Sequence, residues 1–254
     1  MSRIWVFDFD GTLAPIVPER DAAAMLPGFD SILNTLTGRP GNTVAILSSR
    51  TLDDLRARLT MDGIYLGGAS GLHWQSPDGA VICTNPEAIE RAGRCRRGLV
   101  PLLRELLRPY PIDWEDKETS LTIHYRTLAA PVREQVRLLL RSFCFAHRVS
   151  YSEGPLALEI RFDASIKKVE GLQALLRVLG TAAAPPQVVF AGDDDNDAEA
   201  MHWLIAAGGT AVVVGERIVV PRAVVLRDPA ELLDWLHEQI GVESREEMSR
   251  RFIQ

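Results

Sequence analysis

Asp8 and Asp10 flank Phe9 and are followed at once by Gly11 and Thr12, just past the apolar run Ile4-Trp5-Val6-Phe7. Carboxylates at i and i+2 beyond a buried strand offer oxygen ligands to a hard divalent cation. One can attack phosphorus and form an aspartyl-phosphate, while the other protonates a leaving oxygen and later activates water. Gly11 lets backbone N–H groups come close to a phosphate, and the Thr12 hydroxyl adds a donor. The bland alternative is an Asp-Gly turn after a strand.

A second acidic run, Gly192-Asp193-Asp194-Asp195-Asn196-Asp197, follows another apolar stretch and enters a helical pattern. Four carboxylates in five residues repel one another unless a cation sits among them. Capping and the helix dipole explain one or two of these acids, but not four. Ser48 closes a third apolar run; its hydroxyl suits either an N-cap or an anion at a helix N-terminus. Lys167 and Lys168 open a helix carrying Val169 and Leu172. Cations there oppose the helix dipole, a conflict that a bound phosphate would remove. The residues alone leave open which of the two lysines takes that role.

These groups need elements to hold them. Ile4–Phe7, Thr43–Leu47, Gln187–Ala191 and Thr210–Val214 read as short buried strands. Helical stripes alternate with them: Leu52, Leu55 and Leu59; Val169, Leu172, Leu176 and Leu179; Leu232, Leu233, Leu236 and Ile240. The alternation predicts an α/β fold with a doubly wound, Rossmann-like parallel sheet, whose ligands sit beyond the carboxyl ends of the strands. The middle of the chain differs. Stripes over Glu87–Arg108 and Pro131–Ala146 accompany alternating segments at 121–125 and 156–161. Alternation suits an antiparallel sheet with one wet face. A smaller α+β domain over 76–161 is therefore expected inside a core formed by 1–75 and 162–254, bracketed by turn signals at 76–79 and 162–165.

Charge and composition narrow the partners. Among 254 residues, 28 Lys and Arg stand against 34 Asp and Glu, for a net charge of −6. That balance opposes a nucleic-acid partner, which needs a basic face. It permits a small anionic ligand held by one local cluster of cations. No run approaches the ~20 apolar residues of a membrane helix, and Asp8 and Asp10 fall where a signal peptide would be apolar. Cys83, Cys95 and Cys144 form no CxxC pair, so reduced thiols in a cytoplasmic protein are expected. A monomer is the default expectation.

The ordered set DFDGT (8–12), Ser48, a lysine at 167–168 and GDDDND (192–197) resembles the haloacid dehalogenase superfamily. DFDGTLAPI (8–16), LSSRTLDDL (47–55), GGASG (67–71), WEDKETSLTIHYR (114–126), LALEIR (156–161) and GDDDNDAEAM (192–201) look more closely like its trehalose-6-phosphate phosphatase branch. The resemblance spans nearly the whole chain. It implies a C2-type cap as the inserted domain, Asp8 as nucleophile and Asp10 as general acid and base. It also implies Mg²⁺ held by Asp8, the Asp10 carbonyl and Asp193, with Asp194 or Asp197 helping at one remove. Gly11, Thr12, Ser48, Arg50 and Lys168 would form the phosphate site; Lys168 is preferred to Lys167 because Lys168-Val169-Glu170-Gly171-Leu172 keeps the family's helix register. Glu115, Lys117 and Glu159 of the insert would grip the sugar, while His124 and Arg126 would pair within it. The implied reaction is hydrolysis of trehalose 6-phosphate. Branches acting on sucrose 6-phosphate or on glucosyl- or mannosyl-3-phosphoglycerate share the core acids, as does a phosphomutase on the same scaffold. A non-catalytic sugar-phosphate-binding module is opposed by the paired Asp8 and Asp10.

Overall fold

A computed structural model describes residues 3–17, 22–154, 156–181 and 187–251, with side chains up to residue 241. The chain divides into two compact units, one formed by 1–84 and 167–254, the other by 85–166.

The first unit is built on β1 (Ile4–Phe7), α1 (Phe29–Thr37), β2 (Thr43–Leu47), α2 (Leu52–Arg58), β3 (Tyr65–Gly68), β4 (His73–Gln75) and β5 (Val81–Cys83). The strands of its sheet run in the order β12 (Val224–Leu226), β11 (Thr210–Val214), β10 (Val188–Gly192), β1, β2, β3, β4 and β5, parallel from β12 to β3. Alternate residues of β1 explain why helices cover both faces. Trp5 and Phe7 pack with Phe29, Leu33 and Leu36 of α1 and Leu55 of α2. Ile4 and Val6 pack on the other side, with residues of two helices from the far end of the chain. A strand apolar at every position is the signature of a sheet buried on both faces.

The expected boundary at residue 76 moves. Val81–Cys83 pairs antiparallel with His73–Gln75, so the 76–79 turn closes a hairpin on the edge of the large sheet rather than leaving it. The compact division falls at 84/85 and 166/167, because the ladder hydrogen bonds of β5 belong to the first unit.

The second unit holds α3 (Pro86–Leu107), β6 (Asp113–Asp116), β7 (Ser120–His124), α4 (Ala130–His147), β8 (Ser150–Gly154) and β9 (Ala157–Arg161). Its antiparallel sheet runs β6-β7-β9-β8. Leu121, Ile123, Leu158 and Ile160 form its core with Leu103 and Leu107 of α3 and Val136, Leu140 and Phe143 of α4. The alternate positions, Glu115, Thr122, Glu159 and Ser152, stand side by side across the four strands on the opposite face.

The chain then returns to the first unit through α5 (Lys168–Val178), β10 (Val188–Gly192), α6 (Asp195–Ala206), β11 (Thr210–Val214), β12 (Val224–Leu226) and α7 (Pro229–Arg251). Leu172 and Leu175 of α5 and Met201 and Leu204 of α6 complete the packing on Ile4 and Val6. No helix is long and apolar enough to cross a membrane among the described residues.

Candidate active site

β1 is flanked by β2 and β10, the point where the order of the sheet reverses and where doubly wound folds open a crevice. Register brings the tips together. Phe7 lies beside both Ile46 and Ala191, and the Asp8 N–H donates to the Ala191 carbonyl at 2.9 Å. Asp8 at the end of β1, Ser48 at the end of β2 and Asp193 at the end of β10 therefore share one edge of the sheet.

Carboxylate oxygens of Asp8, Asp193 and Asp197 lie within 4.8 Å of one another, and all three residues are buried. The ammonium of Lys168, only 2% exposed, bridges Asp8 Oδ1 and Asp197 Oδ1 at 2.6 Å each. Burial, ahead of repulsion from Asp194 and Asp193, pushes Asp8 up to about 7 despite Lys168. Burial likewise pushes Asp193 up to about 7, followed by repulsion from Asp197 and Asp194. Burial disfavours the ammonium of Lys168, yet the carboxylates of Asp197 and Asp8 outweigh it and hold the lysine charged. A crowded set of hard oxygen donors with excess negative charge fits a divalent cation such as Mg²⁺. Gly11 shows how tight the site is: at φ +83°, a Cβ there would fall 2.3 Å from the Asp193 carboxylate.

The helices that deliver these groups are set by local chemistry. Asp194 caps α6, accepting from the Asn196 and Asp197 N–H groups, while Asp197 Oδ2 accepts the N–H groups of Asp193 and Asp194 at 3.1 Å. At Gly171 the first turn of α5 lies directly on the turn at 69–71: a Cβ there would meet the Ser70 carbonyl oxygen at 2.2 Å. Trp74 Nε1 also donates to the Gly171 carbonyl at 3.2 Å. This anchorage fixes Lys168 three residues earlier.

Several expected residues occupy other places. The acidic run does not act as one cluster: Asp193 and Asp197 join Asp8, the Asp194 carboxylate caps α6, and Asp195 is exposed. Asp194 lies below the usual carboxylate range, because Lys168 and its capping bonds outweigh the effect of burial. Lys167 pairs with Glu199 at 2.8 Å on the surface. Arg50, expected on phosphate, turns to carboxylates instead. Its Nε and Nη2 donate to the two oxygens of Asp10 at 2.6 and 2.7 Å, and Nη1 donates to Asp54 Oδ2 at 2.6 Å. A guanidinium donates two parallel N–H groups in one plane, which matches the two oxygens of a carboxylate. Ser48 is buried and accepts the Arg50 N–H at 3.2 Å. Thr12 is fully buried, and its hydroxyl has no hydrogen-bond partner among the described residues.

Sequence reasoning missed Arg217, whose Nη1 donates to Asp193 Oδ2 at 2.8 Å. The available signal was position: Arg217 follows β11 by three residues, at the same end of the sheet as the acids. Asp54 was visible only as one acid on the first turn of α2.

On the sheet of the second unit, Lys117 Nζ lies 3.0 Å from Glu159 Oε1 and 3.2 Å from Glu115 Oε1. Ser120 Oγ donates to Glu159 Oε1 at 2.8 Å. His124 Nε2 lies 3.0 Å from Glu115 Oε2, and Arg126 Nη2 lies 3.1 Å from His124 Nδ1. An arginine can only donate, so Nδ1 accepts and Nε2 carries the proton shared with Glu115. Burial would lower Lys117, but Glu159 and Glu115 outweigh it and raise the lysine above its ordinary value.

A family model described as trehalose-phosphatase matches residues 6–219. A trehalose-phosphate phosphatase of Mycobacterium tuberculosis (strain H37Rv) is 31% identical over 210 residues, covering 82% of this chain and 52% of the relative. This chain thus spans about half the length of the first curated relatives it matches. A probable trehalose-phosphate phosphatase 9 of Oryza sativa subsp. japonica is 28% identical, covering 94% of this chain and 70% of that protein. Among solved structures, the C-terminal domain of the C. albicans trehalose-6-phosphate phosphatase aligns with a TM-score of 0.78 at 20% identity, covering 94% of this chain and 92% of that one. A trehalose-6-phosphate phosphatase related protein aligns with a TM-score of 0.73 at 21% identity, covering 95% and 99%. At those identities the likeness speaks for the fold.

Proposed function

Because this chain belongs to the trehalose-phosphatase family, we propose that it is a Mg²⁺-dependent phosphomonoesterase that hydrolyses trehalose 6-phosphate to trehalose and phosphate. The observation that carries this reading is the buried Asp8 carboxylate at the carboxyl end of β1, bridged by Lys168 and crowded by Asp193 and Asp197. A nucleophile needs one oxygen aimed at phosphorus, and Lys168 holds Oδ1 at 2.6 Å.

Asp8 attacks phosphorus in line with the sugar oxygen. The P–O bond to the sugar breaks, and an acyl phosphate forms on Asp8. Asp10 gives its proton to the departing sugar oxygen, then takes a proton from the water that cleaves the acyl phosphate. Lys168, and the hydroxyls of Ser48 and Thr12, offset negative charge on the transferring group, the main electrostatic demand of phosphoryl transfer. Asp8, Asp193 and the Asp10 carbonyl would hold Mg²⁺, with Asp197 beside them at one remove, and the ion would supply Lewis-acid charge at the phosphoryl oxygens.

The second unit is assigned as a C2-type cap that recognises the sugar. Glu115 and Glu159 offer acceptors and Lys117 a donor, the strong, charge-assisted hydrogen bonds a disaccharide's hydroxyls can use. Phosphate release from purified protein, with and without Mg²⁺, tests the whole reading. Trehalose 6-phosphate should lead a panel of sucrose 6-phosphate, glycosyl-3-phosphoglycerates and hexose phosphates. A leading sucrose or phosphoglycerate substrate would move the protein to a sister branch, and transfer to a second sugar without free phosphate would make it a mutase.

A further inference from the structure

Resting on the reading of Asp10 as acid and base, we infer that Arg50 is a positioning residue that sets where the Asp10 carboxylate stands during both proton transfers. Arg50 is held at every point. Its N–H donates to Ser48 Oγ at 3.2 Å, and its carbonyl accepts the Ala69 N–H at 2.7 Å. Its guanidinium carbon lies 5.6 Å from the centre of the Phe9 ring, within cation–π range, and Phe9 is fully buried between the two aspartates of the loop. Asp54 takes Nη1, and Arg58 grips Asp54 Oδ1 through Nε at 3.2 Å and Nη2 at 3.0 Å. Arg58 Nη1 is tied in turn to the Ala23 carbonyl at 2.9 Å. The chain of contacts thus ends on the backbone of the segment before α1.

The Asp10 side chain is 33% exposed, whereas that of Arg50 is 5% exposed. The buried, multiply anchored member of the pair is therefore the guanidinium, and the carboxylate is the member that faces solvent. An aspartate left to itself on an open loop samples several rotamers, and misplacement by about 1 Å costs an enzyme about 10²-fold. Two parallel N–H···O bonds from one rigid plane define both the position and the rotation of the carboxylate. A lysine has one donor point and cannot fix the rotation, so Arg50→Lys keeps the charge but loses the alignment.

The test compares Arg50→Lys, Asp10→Asn and the double variant on trehalose 6-phosphate and on 4-nitrophenyl phosphate. A sugar alkoxide needs a proton in order to leave; 4-nitrophenolate does not. Arg50→Lys should lower kcat on trehalose 6-phosphate about 10²-fold with KM changed less than about threefold. On 4-nitrophenyl phosphate it should keep a fast burst of about one nitrophenolate per site, followed by slow turnover, because acyl-phosphate cleavage still needs Asp10 as base. The double variant should be no slower than Asp10→Asn, since Arg50 acts through Asp10. Asp54→Asn, which removes one anchor of Arg50 without touching Asp10, should show the same pattern at about tenfold and serves if Arg50→Lys fails to fold.

A loss in the Asp10→Asn background as large as in the parent would overturn the inference and return Arg50 to the phosphate. So would an equal loss of burst rate on both substrates with raised KM, or an Arg50→Lys enzyme at the parent rate. If Asp10→Asn itself retains full turnover of trehalose 6-phosphate, the assignment of acid and base falls first and the inference falls with it.

Discussion

The tips of the parallel strands and the polar face of the antiparallel sheet each gather charged side chains, but they balance charge differently. At the tips, Asp8, Asp193, Asp197 and the neighbouring Asp194 are four acids against two cations, the bridging Lys168 and the half-exposed Arg217. On the antiparallel sheet, Glu115 and Glu159 meet Lys117 and, through His124, Arg126. A buried cluster with surplus charge is costly until a ligand of opposite charge completes it. A balanced cluster presents ready-aligned donors and acceptors and suits neutral hydroxyls. Under the proposed function the first arrangement takes the cation and the phosphoryl group, and the second the sugar.

The largest way to break this contrast is at Asp8. Asp8→Asn should reduce phosphate release by about 10³-fold or more, because no covalent step remains, while thermal melting shows a protein at least as stable. Parent-rate turnover in that variant would move the chemical centre elsewhere.

Lys168→Met probes the electrostatics of the same cluster. It leaves Asp8 and Asp197 buried without their cation, and urea unfolding should register a loss of about 3–5 kcal/mol. A loss below about 1 kcal/mol would show that the strand tips tolerate surplus charge and would erase the contrast with the sheet.

Lys117→Met and Glu115→Gln address the balanced cluster. Each should raise KM for trehalose 6-phosphate about 10- to 100-fold through lost charge-assisted hydrogen bonds. Turnover of 4-nitrophenyl phosphate, which has no sugar, should stay at the parent level. Equal losses on both substrates would tie this sheet to the chemistry rather than to recognition.

Arg217→Gln is the gentlest probe. Removing a half-exposed guanidinium from Asp193 should tighten Mg²⁺ binding up to about fivefold by calorimetry, the scale of an exposed ion pair. Weaker binding would mean that Arg217 orders Asp193 for the metal instead of competing with it.

The strands were legible unevenly, for identifiable reasons. Ile4–Phe7 is apolar throughout, and Thr43–Leu47 and Thr210–Val214 are apolar after their first residue, because helices cover both faces of the sheet. Tyr65–Gly68 ends in two glycines and is not among the strands expected from the apolar runs; it pairs with Ala45–Leu47, and glycine stands at 68 because a Cβ there would strike the start of α2 at 2.4 Å. Val81–Cys83 is exposed enough to pass for part of the insert, and only its ladder to His73–Gln75 assigns it to the large sheet. Arg50 illustrates the limit for the site. Its place in LSSRTLDDL brings it to the end of β2, but nothing local says whether its guanidinium meets a phosphate or Asp10.

Composition and periodicity by themselves determined the alternation of buried strands and amphipathic helices, and the delivery of Asp8, Ser48 and the acidic run to strand ends. Burial on a strand or a helix face is a local property, written in side-chain spacing. The tertiary structure alone decided that Asp197 joins Asp8 while Asp194 caps a helix, and that Arg50 grips Asp10; it also places Lys168, which the family's helix register favoured, in the cluster and Lys167 on the surface. Those outcomes depend on register across β1, β2 and β10 and on the contact of Gly171 with the turn at 69–71, which set distances between residues up to 189 positions apart.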